Sequence, residues 1–216
     1  MTKPLSSEAQ RLKDLIDFDK RIYFLILVIL FLIIRYLTNT LILESIPDYD
    51  ALEQRGDFMI FHIFNALNYL WTPFAFLWKF TVISFLFWWG AFMIGYKVPY
   101  KELWQFALVA EVVFLFPELI RLLVFLDPSS SVTYQQIDEY RAFSVLSLLG
   151  PENVADKYHY ALGTLNIFEI FYGILWLYGF HMVSRRSLGE SSIVVFVSYF
   201  IPLAIWLTFY IMVYKE

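Results

Sequence analysis

Five stretches of this chain are apolar almost without interruption: about 22–43, 71–95, 104–126, 158–183 and 192–214. About 20 apolar residues in helical form cross a bilayer's hydrocarbon core, so each stretch is long enough for one span. Two segments between them, about 58–70 and 134–149, mix polar and apolar positions and read as interfacial helices. The whole of Phe58–Tyr96 is too long for one ordinary span, and Pro73 and Lys79 interrupt it. A rival reading folds it into two tight spans, making six in all. Ahead of the first span, Leu5, Ala9, Leu12 and Ile16 recur at helical spacing, and Ser7 with Gln10 suits a capping box. Residues 1–21 therefore read as an amphipathic segment lying on the membrane. The pattern predicts an all-α integral membrane protein: five transmembrane helices in one domain over 22–216, an N-terminal amphipathic helix and interfacial helices.

Polar turns separate these elements. Lys97–Lys101 is a basic turn containing Pro99, and Asp127–Ser131 is another turn. Thr133 with Gln136 suits a second capping box, and Gly150–Pro151 ends one helix and opens the next. Ser191 or Ser192 is the expected cap of the last span. The mixed charges of Met1–Arg21 and the length of the run after it argue for an uncleaved first span, not a removable signal. In a five-span topology Lys3, Arg11, Lys13, Lys20, Arg21, Lys97, Lys101, Arg185 and Arg186 share one side, against Arg55, Arg141, Lys157 and Lys215 on the other. The basic side faces the cytoplasm. This places the N-terminus inside and the C-terminus outside, across the inner membrane if the host is a bacterium. Six spans would spoil the asymmetry.

Composition agrees. The chain is 60% hydrophobic, above the roughly 45–50% of a soluble domain. A net charge of −4 gives nucleic acid nothing to bind, and the absence of cysteine excludes disulfides, thiol catalysis and cysteine-ligated metals. Nothing in the sequence calls for a cofactor or a metal. Tyrosine and tryptophan near the span ends, such as Tyr23, Trp71, Tyr96, Trp104 and Tyr214, read as interface belts. The basic turns suit anionic lipid headgroups as partners.

The unusual chemistry lies inside the apolar runs. The third carries Glu111, Glu118 and Arg121, and charged groups are costly in hydrocarbon. Seven residues make nearly two helical turns, so Glu111 and Glu118 share a face about 10 Å apart. Arg121 sits three residues beyond Glu118 and can pair with it. Glu111 has no partner on its own helix; Arg35 in the first span and Lys79 in the second are the available cations, with Lys79 expected to reach toward the interface. In the fourth span Asn166, Glu169 and Gly173 form a polar and small stripe suited to packing against the third. Two readings compete: carboxylates lining a path for protons or a small cation, or interhelical pairs that hold the bundle. The near balance of Arg35, Lys79 and Arg121 against Glu111, Glu118 and Glu169 favours pairing.

Pro73, Pro117 and Pro202 each remove a backbone donor inside a span, and Pro117 frees the carbonyl of Val113. Such breaks are found at transport sites and, more commonly, as packing kinks. His62, His159 and His181 have no metal-ligand spacing, and His62 with Asn65 and Asn68 marks a polar interfacial face. Glu118-xx-Arg121 lacks the paired glutamates of CAAX-type membrane proteases, and no rhomboid-type Gly-x-Ser-Gly is present. Catalysis is not expected.

The second half resembles a known family. Gly95-Tyr-Lys-Val-Pro-Tyr-Lys-Glu-Leu103 leads into a proline-bearing apolar stretch; Leu165-Asn-Ile-Phe168, Gly179 and Ser184-Arg-Arg186 then precede a last span with Pro202. Over about Gly95–Tyr214 this resembles the Yip family of Ypt/Rab-interacting five-span membrane proteins. The resemblance implies a non-enzymatic scaffold for membrane organisation, with membrane proteins or a small GTPase as partners.

Overall fold

The computed structural model describes residues 18–46, 49–56, 58–126 and 134–214. The expected amphipathic helix over residues 1–21, the turn Asp127–Ser131 and the Thr133 cap lie outside this set, apart from Phe18–Arg21. The described residues form helices joined by short turns, with one isolated bridge between Ser144 and Asn166. Among the described residues, four helices are long and apolar enough to cross a membrane: Lys20–Glu44, Met59–Met93, Ile167–Ser184, and the run Leu188–Val213. Only 17–33% of each hydrophobic window is buried, and side chains such as Leu70, Trp78 and Met212 are more than 70% exposed. Apolar surface on that scale requires a nonaqueous surrounding, which marks a membrane protein.

The first helix, α1 (Lys20–Glu44), starts where the Asp19 carboxylate accepts hydrogen bonds from the amides of Arg21 and Ile22. After a short helix α2 (Tyr49–Arg55) comes α3 (Met59–Met93), unbroken through Pro73 and about 52 Å long. The boundary expected near residue 70 is therefore absent, and the chain does not reverse as the two-span rival requires. Helix propensity on both sides of Pro73 carries the helix through, at the loss of one backbone bond.

Next comes a bent element: α4 (Tyr100–Ala110), a 3-10 turn (Glu111–Phe114) and α5 (Leu115–Val124). Pro117 cannot donate to Val113, and the turn just before it tightens. The expected interfacial helix over 134–149 is two short helices, α6 (Tyr134–Glu139) and α7 (Val145–Leu149), parted by an irregular corner. Gly150, at φ +80°, ends α7 and Pro151 opens the next turn, as expected.

The expected fourth span is also divided. Helix α8 (His159–Thr164) stops, Leu165 and Asn166 are extended, and α9 (Ile167–Ser184) starts anew. The Asn166 side chain accepts from the amides of Phe168 and Glu169 at 2.9 and 3.1 Å. Asn166 is thus a helix cap, a role that the stripe reading did not foresee. The last run is capped by Ser187, not Ser191 or Ser192: Ser187 and Glu190 form a reciprocal capping box for α10 (Leu188–Val195). A π-turn, Phe196–Phe200, precedes α11 (Ile201–Val213), where Pro202 has no amide to give Ser198.

The core lies where α3, α4 and α9 meet. Phe87 stacks on Trp176 at 3.8 Å between ring centroids, and Phe106 meets Trp176 edge-on at 5.0 Å. Phe80, Phe87, Tyr172, Trp176 and Phe180 are fully buried. Gly179 lies against the Phe106 ring, where an added Cβ would collide, so the missing side chain sets how closely α4 and α9 approach.

Candidate functional site: a charged chamber within the bundle

On the side of the bundle away from the Ile94–Pro99 turn, this packing gives way to a partly open chamber of about 640 Å³. Lys79 from α3, Glu111 from the 3-10 turn and Glu169 from α9 line it within the bundle. Residues of the 139–166 connection, including Arg141, His159 and Asn166, complete its wall.

Lys79 turns inward. Its Nζ lies 2.7 Å from Glu111 Oε1 and 4.1 Å from the centroid of the Phe114 ring. This corrects the expectation that Lys79 reaches toward the interface: a fully buried carboxylate within range outweighs a distant aqueous layer. The Glu111 side chain is 1% exposed, and among the described residues its Oε2 has no hydrogen-bond partner. A buried anion with half its acceptors unused is held at a considerable desolvation cost.

Glu169 accepts a short hydrogen bond from the Tyr199 hydroxyl on the π-turn. The extra residue in that turn rotates Tyr199 toward α9 and brings Phe200 against Gly173. The stripe of Glu169 and Gly173 therefore serves the last helix, where packing against the third run was expected. Glu111 and Glu169 still share one chamber, each supported from a different neighbour.

Glu118 and Arg121 pair loosely, at 3.8 Å. The 3-10 turn winds three residues per turn where an α-helix winds 3.6, so Glu118 is rotated relative to Glu111 beyond the straight-helix expectation. Glu118 lines the chamber and also a second cavity of about 390 Å³ holding Arg35 and Arg121. Arg35 thus belongs with Arg121, apart from Glu111. Among the described residues no three His, Asp or Glu side chains gather as metal ligands.

Sequence reasoning missed Tyr199, Arg141, Glu139 and His159. Tyr199 carried a faint signal, three residues before Pro202, where a distorted turn is expected. The other three sit in connections whose path only the fold reveals.

The lining carries Glu111, Glu118, Glu139 and Glu169 against Lys79 and Arg141, with His159 in addition. Arg121 offsets Glu118 from the neighbouring cavity, so the chamber keeps a negative formal balance. Its chemistry suits a cation or a proton more than an anion. Fold and site together define an all-helical membrane protein with an acidic chamber inside its bundle. No protein-family model, curated protein or solved structure matches the chain.

Proposed function

We propose that the protein is a five-span membrane carrier that binds a small cation or protons in this chamber. The bent element Tyr100–Val124 is the fifth span, absent from the four apolar helices because charge and the 3-10 turn interrupt it. With the N-terminus in the cytoplasm, the chamber opens to the outer face. One observation carries the reading: Glu111 is buried at the chamber wall with one oxygen bonded to Lys79 and the other without a partner among the described residues. A structural pair alone gains nothing from an orphaned oxygen, whereas a binding site uses it. Glu169 supplies a second carboxylate whose repulsion with Glu111 a bound cation relieves.

The test is flux into proteoliposomes containing the purified protein, followed with a pH-sensitive dye and with alkali-cation tracers. Wild-type protein should dissipate a proton or cation gradient, and Glu111→Gln together with Glu169→Gln should abolish this. Flux that persists in the double variant overturns the proposal.

A second reading, the Yip-type scaffold, is favoured by one observation: Lys79–Glu111 and Arg121–Glu118 already pair. On that reading the charges are structural, and replacing Lys79 and Glu111 together by apolar residues preserves function. In vivo crosslinking and co-purification would then return the same partners from that variant as from wild type.

A further inference from the structure

The second cavity has the opposite character. It lies among α1, α3 and α5 and is lined by Arg35, Asn39, Asn68, Thr72, Glu118 and Arg121, with Phe31, Trp71, Ala75 and Phe76. Arg35, an exposed side chain on the apolar helix α1 at the cavity rim, makes no hydrogen bond or ion pair with any described residue. The Arg121 Nε is buried and has no partner among the described residues, and its guanidinium reaches Glu118 only at 3.8 Å. Two guanidiniums therefore face one carboxylate, leaving a positive excess inside a membrane domain. An arginine without a counter-charge on an apolar helix is costly where hydrocarbon surrounds it, and an oxyanion that takes two parallel hydrogen bonds removes the cost.

The surroundings give that anion a route. Arg35 lies about 12 Å from the end of the apolar stretch at Leu43. One turn further out on the same face, Asn39 donates to the Tyr69 hydroxyl at 2.8 Å and to Asn65 Oδ1 at 3.4 Å. A polar seam thus runs between α1 and α3 from the cavity toward the helix end. Trp71, on the cavity wall, is 66% exposed.

We infer that Arg35 and Arg121 form a binding site for a phosphate group, carried by a lipid headgroup or free in solution. Arg35 and Arg121 supply the charged donors, Asn68 adds an amide, and Glu118 opposes binding by like charge. The site shares Glu118 with the acidic chamber, but the inference does not rest on that chamber's role in transport.

The test measures ligand binding to the purified, detergent-solubilised full-length protein by native mass spectrometry and thermal melting. Phosphatidylglycerol, inorganic phosphate and diacylglycerol are compared, the last having tails and no phosphate. Phosphatidylglycerol should bind and raise the melting temperature, and Arg35→Gln or Arg121→Gln should weaken it at least about tenfold, as expected for losing a hydrogen bond to a charged group. Arginine-dependent protection by phosphatidylglycerol alone assigns the site to a lipid, and equal protection by inorganic phosphate assigns it to a soluble ligand. Glu118→Gln, which removes the opposing charge, should tighten binding several-fold; this arm stands even if an arginine variant does not fold. The inference is overturned if diacylglycerol binds as well as phosphatidylglycerol, if neither phosphate source binds, or if Glu118→Gln leaves binding unchanged.

Discussion

Lys79 and Phe87 lie on the same helix, about 12 Å apart along its axis, and the bundle changes from hollow to solid between them. At the Phe87 level, Phe106, Trp176 and Phe180 fill the space between α3, α4 and α9, and Gly179 lets two backbones close in. At the Lys79 level, α3, the 3-10 turn that follows α4, and α9 contribute Lys79, Glu111 and Glu169 and enclose a chamber. Aromatic rings gain from contact in every direction, so they pack until no space remains. Charged side chains need polar partners and do not close into a dry contact, so the space around them is not filled by packing. The solid end holds the geometry on which the hollow end depends.

The comparison breaks most sharply at Trp176. Trp176→Ala should cost about 3–5 kcal/mol, the usual loss for truncating a buried aromatic, read as a large fall in melting temperature in detergent. A small fall would mean that the aromatic level is not the anchor. Lys79→Met comes next: it strands a buried carboxylate and should cost about 3 kcal/mol or more, while adding Glu111→Leu should restore most of the loss. A double-mutant cycle showing no coupling between the two would refute the ion pair. Tyr199→Phe removes a single hydrogen bond to a charged group and should cost about 1.5–3 kcal/mol, with flux falling alongside if Glu169 binds the cation. The smallest effect belongs to Glu118→Gln, whose partly exposed pair with Arg121 should contribute less than about 1 kcal/mol, measured by the same melts.

Much of this contrast was legible beforehand, and the failures share a cause. The apolar runs predicted α1 and the last span closely, because run length and bilayer thickness depend on composition alone. Pro117 and Pro202 flagged the two places where the helix type changes. Side-chain partners were less accessible. Straight-helix spacing placed Glu111 and Glu118 on one face; both line the chamber, but the 3-10 turn changes their relative rotation and Glu118 also reaches the second cavity. Arg35 and Lys79 were equally available to Glu111 on paper; helix packing chose Lys79 and left Arg35 with Arg121. Asn166 reads as polar in any register, and only the extended Leu165–Asn166 segment makes it a cap.

By itself the sequence determined that this is an all-helical membrane protein with charges inside its apolar runs, since both follow from which residues are present and in what order. Tertiary structure decided which charges meet, separating an acidic chamber around Glu111 and Glu169 from a basic cavity around Arg35 and Arg121. The physical reason is range. Hydrophobic length and helix capping act within a few turns of one segment, whereas an ion pair or a cavity depends on the rotation and approach of several helices at once.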